Sequence, residues 1–178
     1  MAGICITPAK TNGDFAPDYH IPYAREILRH MIISHPTFQT QGIEVLQMLS
    51  RFSVTLHANN ASQISSAYHF FYEIHAMTGK VNQYIMKQGW PFVLYCFTAA
   101  DYQNTRFIKS MDSDKSSIIW LDPIMERCFK MTDSLSDQSP HFLISHSFYD
   151  RLTEKEQKGF TVCYYVKHIC CYAGKISS

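Results

Sequence analysis

Glycine is scarce in this chain, and the motifs that depend on it are missing. The 178 residues include seven glycines, all dispersed. Neither G-x-x-x-x-G-K nor G-x-G-x-x-G occurs, so no glycine-rich loop is available to cradle a phosphate through backbone N–H groups. H-E-x-x-H and C-x-x-C are absent too, which removes the common zinc-protease and dithiol signatures. Six cysteines are present at irregular spacing, which is no disulfide framework. The opening "MAGICITPAK" holds no apolar stretch of leader length. The expectation is a reducing, intracellular setting with free thiols. Long apolar runs are lacking as well. The longest, "PFVLYCFTAA" (91–100), is about half of what a bilayer-spanning helix needs. An excess of one charge sign is also missing, since the formal net charge is +1.

What the chain does have is apolar material. Hydrophobic residues make up 46% and aromatics 14%, too much for a disordered chain and enough for one real core. The charges are segregated along the sequence. From Gly79 to Ser110 stand Lys80, Lys87, Arg106 and Lys109 against Asp101 alone. From Met111 to Pro140 six acids face three bases, Lys115, Arg127 and Lys130. Two solvated faces account for this, and so does a basic surface that meets an anionic partner.

Residues 1–21 contain Gly3, Pro8, Gly13 and Pro17 with no apolar period, and they read as a flexible N-terminal arm. Residues 22–178 read as a single globular domain. Pro22 opens a helix over 22–35, with Ile27, Leu28, Met31 and Ile32 on one face. Phe52, Val54 and Leu56 alternate as a strand, while the stretch before Arg51 fits helix or strand. Asn60 or Ser62 caps the next helix, Ile64, Ala67, Tyr68, Phe71 and Ile74 set its period, and Gly79 ends it. Strands are expected at 89–99, 116–121 and 140–145. Thr153 and Glu156 have capping-box spacing for a short helix. Residues 160–176 form one long strand or a hairpin. The fold class is α+β: a mostly antiparallel sheet packed with one long and one or two short helices.

Catalytic candidates are thin. Cys96, Cys128 and Cys163 could each be matched with one of nine histidines, but such pairs arise by chance in this composition. The stretch "VCYYVKHICC" (162–171) gathers three cysteines around His168. Adjacent Cys170 and Cys171 point to opposite faces of a strand, and Cys163 and His168 differ in parity. Only a turn near Lys167 could bring them together as metal ligands, and no Asn-Gly marks one. Buried cysteine acting as a small apolar residue is the simpler account. No catalytic residue, metal or cofactor is assigned.

Three stretches in order carry a resemblance: "FSVTLHANNASQISSAYHFFYEIHAMTG", "YIMKQGWPFVLYCFTA" and "SHSFYDRLTEKEQKGFTVCYYVKHICCYAGKI". A strand-turn-helix unit, a Gly-Trp-Pro-Phe-led strand and a short helix before terminal strands together resemble the rhabdovirus matrix proteins. The arm departs from the animal-virus members: Lys10 is its one lysine, and it has no P-P-x-Y or P-[ST]-A-P. A plant cytorhabdovirus-like member would suit those departures.

The resemblance implies a matrix-like globular domain in a non-enzymatic structural protein. Such a protein self-associates, condenses the viral nucleoprotein–RNA nucleocapsid and links it to anionic lipid beneath the envelope, with the glycoprotein as a further partner and no small-molecule substrate. It would reside in the virion and on the cytoplasmic side of host membranes. Candidate membrane-facing residues are then Lys80, Lys87, Trp90, Arg106 and Lys109. Candidate self-association residues are Phe15, Pro17, Tyr19, Ile21 and Tyr23, whose spacing of two suits an extended segment. The alternative is a small intracellular interaction module that binds RNA or antagonises host factors through its basic middle.

Overall fold

The structure, a computed structural model, describes residues 2–11, 19–36, 44–48, 51–56, 60–102, 123–135 and 142–174. Seven strands form one mixed sheet in the order β2-β3-β1-β4-β5-β7-β6. They are β1 (Ala2–Thr11), β2 (Glu44–Met48), β3 (Arg51–Leu56), β4 (Val93–Tyr102), β5 (Phe142–Ser145), β6 (Phe160–Val166) and β7 (Ile169–Gly174). The helices are α1 (His20–Ile33), α2 (Ala61–Lys87), α3 (Pro123–Thr132), and the single turns α4 (His146–Tyr149) and α5 (Glu154–Gln157). Every strand pairing is antiparallel except β4 with β5, so the α+β reading stands.

Residues 2–11 correct the expected arm. They form β1, a central strand held between β3 and β4, with Ala2 opposite Tyr102 and Thr11 opposite Val93. Composition misled here because Gly3 and Pro8 weaken a strand locally, while pairing on both sides decides the outcome. The expected strand at 116–121 lies outside the described residues.

Two faces of β4 divide the core. Leu94, Cys96, Ala100 and Tyr102 join Ala24, Leu28 and Ile32 of α1 and Ile64, Phe71, Ile74, Val81 and Ile85 of α2. Ala99 faces the other way, with Cys128 and Met131 of α3 and Cys171 and Ala173 of β7. Before Thr98, β4 has no β5 neighbour. Asn82 substitutes for one: Leu94 N donates to Asn82 Oδ1 at 2.8 Å, and Asn82 Nδ2 donates to Leu94 O at 2.9 Å. The backbone groups of a strand edge are thereby satisfied from a helix.

Asn60 caps α2, its side chain accepting from Gln63 N at 2.9 Å. The expected stop at Gly79 is wrong, because the helix continues to Lys87. The apolar stripe does not end at Ile74 but runs on through Met77, Val81 and Ile85, all buried. That burial outweighs the cost of one glycine, about 1 kcal/mol against alanine. The real stop is Gly89, at φ +68. There Gly89 N donates to Met86 O at 3.0 Å and Trp90 N to Ile85 O at 3.1 Å, a Schellman motif. A Cβ at Gly79 would meet nothing within 4 Å. Gly79→Ala should therefore stabilise the protein by about 0.5–1 kcal/mol, read from the urea midpoint at unchanged slope.

Of the stretch expected as one strand or a hairpin, residues 160–174 form a hairpin. Lys167 and His168 both have positive φ, 44 and 70. This two-residue turn matches the right-handed twist of the strands it joins without the usual Asn-Gly. Cys163 then lies opposite Tyr172, and Cys171 opposite Tyr164. In this register the cysteines of the two strands do not pair with one another. Burial first, then the nearby Cys170, pushes the Cys171 thiol up to about 12, so it stays protonated and inert.

Candidate functional site

The C-terminal end of β4 carries the most demanding polar group on the described residues. Asp101, next to last in a mostly apolar strand, is fully buried. Such a charge persists only when paired. Arg127 reaches it from α3, with Nε 2.7 Å from Asp101 Oδ2. The N–H is not aimed along that contact, so the attraction is chiefly coulombic. Ser147 reaches it from α4, its Oγ donating to Asp101 Oδ1 at 3.0 Å. Ser145 Oγ stands 2.9 Å from Ser147 Oγ and accepts from Phe148 N, which caps α4. One carboxylate thus ties together β4, α3 and the turn after β5. The Arg127 side chain is 38% exposed, so the pair is buried on the carboxylate side and partly open on the arginine side.

A second polar junction holds α5. Thr153 and Glu156 complete the expected capping box. Glu156 is buried, and Ser65 of α2 also donates to its carboxylate. His69 Nε2 lies 3.4 Å away. Burial raises the Glu156 carboxyl's pKa, but the hydrogen bonds from Ser65 and from the N–H and hydroxyl of Thr153, with the His69 charge, outweigh it. The net result is below the ordinary 4.5. A folded value below the unfolded one contributes stability that is fully present above the unfolded value and lost as pH falls through the folded one. The stability gap between wild type and Glu156→Gln should shrink from about pH 6 to about pH 3 in urea titrations. A constant gap would show that the carboxylate charge is not what binds α5 to α2.

The residues expected from sequence fall into two groups. Phe15, Pro17, Arg106 and Lys109 lie outside the described residues. Lys80 and Lys87 are exposed on α2. Trp90, expected at a membrane, is half-buried: His20 stacks on it at 4.2 Å, Phe92 stacks at 5.9 Å, and Tyr23 and Tyr84 meet it edge-on. Tyr19 and Tyr23 are exposed, and Ile21 packs on the core. The structure therefore joins the two expected sets at one aromatic corner, where Met86 and Val93 are exposed too. Extended spacing of two does not apply at Ile21 and Tyr23, because both lie on α1.

Sequence reasoning missed Asp101, Arg127 and Ser147. The available signal was a lone acid next to last in a mostly apolar strand. Its partners lie 26 and 46 positions on, and no local spacing reveals them. Cys96 and Cys128, weighed as nucleophiles, are buried.

No protein-family model and no curated protein sequence matches this chain. Solved structures do. The adenylyl cyclase CyaB from P. aeruginosa matches with TM-score 0.64 at 9% identity, covering 99% of this chain and 95% of that one. The guanylyl cyclase Cya2 matches with TM-score 0.61 at 9% identity, covering 98% and 91%. Trypanosoma brucei adenylate cyclases, solved in their monomeric state, match with TM-score 0.52 at 7% identity, covering 96% and 88%. These likenesses overturn the rhabdovirus matrix resemblance. With it go the matrix-like domain, the roles in self-association, nucleocapsid condensation, envelope linkage and budding, the nucleocapsid and lipid partners, and the expectation of a non-enzymatic protein without a small-molecule substrate. The RNA-binding or host-antagonist module gains no support in their place. The strand-helix order that carried the resemblance was generic. The fold of this chain is the one seen in adenylyl and guanylyl cyclase structures.

Proposed function

We propose that this domain binds a purine nucleoside triphosphate and handles it as a cyclase-type domain. The observation that carries the reading is the two-way coverage: nearly the whole chain superposes on nearly the whole of CyaB and of Cya2. Arg127 is the residue we assign to the phosphates. Asp101 pairs with it electrostatically at 2.7 Å, and the side chain is partly open to solvent. A planar, pre-oriented guanidinium edge suits phosphate oxygens better than a lysine would.

Phosphoryl chemistry commonly draws on a divalent cation held by carboxylates and phosphate oxygens. The described residues do not fit one. Among them no three His, Cys, Asp or Glu side chains are grouped for a metal. Asp101 and Glu156 are both committed to protein partners. The sequence of β1 contains no acid, and Glu44 is the single acid of β2 and β3.

Calorimetric titration with ATP and with GTP tests the reading, followed by chromatography for the cyclic nucleotide. Saturable binding of one of them is expected. Arg127→Gln made together with Asp101→Asn, which keeps the junction neutral, should weaken binding at least about tenfold, the value of a charge-assisted contact. A protein that takes up neither nucleotide would sink the reading.

A further inference from the structure

A second constellation sits at the surface, on the side of α4 away from Asp101. His146 Nδ1 lies 3.2 Å from Tyr172 Oη, and His146 Nε2 lies 3.3 Å from Asp150 Oδ2. The imidazole thus has the phenol at one ring nitrogen and the carboxylate at the other. Nδ1 faces the Tyr172 hydroxyl and can accept its proton, while the Asp150 carboxylate stands beside the other ring nitrogen. A nucleophile within reach of a base that a third group orients is the general signature of an activated side chain.

Each member is held in place. Ser145 caps α4, and Ser147 pins it to buried Asp101. Tyr172 lies in β7 between Ile144 of β5 and Cys163 of β6. Tyr149 stacks on the Tyr172 ring, 3.8 Å between centroids and 9° between planes. The Tyr68–Tyr72 hydroxyl pair forms a contrast: burial drives Tyr68 well above the ordinary tyrosine range and keeps it protonated.

The geometry points to Tyr172 as a reactive phenol, with His146 as its base and Asp150 as the positioning residue, serving as the acceptor for an uncharged acyl electrophile. The acyl class follows from the charge. Asp150 opposes a phosphoryl dianion, and the neighbouring Arg151 guanidinium is stacked over Tyr102, 4.7 Å from the ring centroid. In the step, Tyr172 Oη bonds to the carbonyl carbon. The bond from that carbon to the leaving group breaks, and the electron pair departs with the leaving group. The phenolic proton passes to His146 Nδ1 and from there to the leaving group. This site is independent of the nucleotide reading.

N-acetylimidazole is the probe; its leaving imidazole takes the proton. Acetylated tyrosines are located by peptide mass spectrometry on the intact folded chain. Tyr165 is 76% exposed and serves as the internal reference. Tyr172, although half-buried, should be acetylated at least about tenfold faster than Tyr165, since a positioned base contributes that much or more. His146→Gln should remove this excess. Asp150→Asn should reduce the excess and alter the pH profile, which a merely structural role would not do. Side chains 146 and 150 are each 55% exposed, so both variants keep the fold, checked by thermal melts. Labelling that ranks tyrosines by exposure, or a His146→Gln protein that acetylates Tyr172 at the wild-type rate, overturns the assignment.

Discussion

Gly174→Ala should be the most damaging glycine-to-alanine change among the described glycines. A Cβ at Gly174 would lie 1.8 Å from Phe142 Cζ and 1.9 Å from Cε2. Ordinary contact needs about twice that separation. The φ of Gly174 is not in the left-handed region, so the cost is one of space and not of backbone conformation. Phe142 of β5 pairs directly across from Gly174 and lays its ring over the vacant position. The ring has no retreat. Phe71 stacks on it at 5.5 Å, Phe160 meets it edge-on at 5.6 Å, and Tyr72 closes a further side at 5.9 Å. Overpacking a closed core costs about 1–3 kcal/mol and sometimes more, and this overlap belongs at the upper end. For a domain of this size about 3 kcal/mol lowers the melting temperature by about 10 °C. Phe142→Leu in the Gly174→Ala background should recover part of the loss, since the smaller side chain makes room for the methyl. A double-mutant cycle in urea then gives a coupling of at least about 1 kcal/mol. Additive losses would mean that the ring and the glycine do not share the space.

The same glycine shows where the sequence was legible and where it was not. Local signals were read well when local physics set them: the Asn60 cap, the Thr153–Glu156 capping box and the periodic face of α2. Gly79 and Gly89 show the limit. Each is a glycine after a helical run, and only tertiary burial of Val81 and Ile85 separates a tolerated glycine from a terminator. Residues 2–11 show a second limit, since a strand paired on both flanks draws its stability from partners 40–100 residues away. The hairpin was foreseen only as an alternative, because Lys167 and His168 adopt positive φ without the residues that usually advertise it. Polar groups divided in the same way. Glu156 was found through i,i+3 spacing. Asp101 was not, since Arg127 and Ser147 come to it through the parallel β4–β5 pairing and the placement of α3. The mistaken matrix resemblance came from the same source: element order is a local property, and sheet order is not.

Removing Arg127 should cost more than neutralising Asp101, although the two residues form one pair. Asp101 is fully buried, whereas the Arg127 side chain is 38% exposed. Arg127→Met leaves a carboxylate in the interior with only the Ser147 hydroxyl to hold it. A wholly buried pair broken in this way loses about 3–5 kcal/mol, and the solvent that reaches Arg127 brings the expectation to about 2–3 kcal/mol. Asp101→Asn keeps an oxygen to accept from Ser147 and leaves a guanidinium that water can solvate. Its cost should be about 1 kcal/mol. The double variant should then be more stable than Arg127→Met alone, because the unpaired buried charge is gone. Urea unfolding of the four proteins at one pH measures this asymmetry. Equal losses from the two single variants would mean that Asp101 is hydrated in solution, and Arg127 would then lose the fixed orientation on which its assignment to a phosphate depends. The stability cycle therefore bears on the proposed nucleotide site before any nucleotide is added: an arginine that Asp101 does not hold is not a pre-oriented anion receptor.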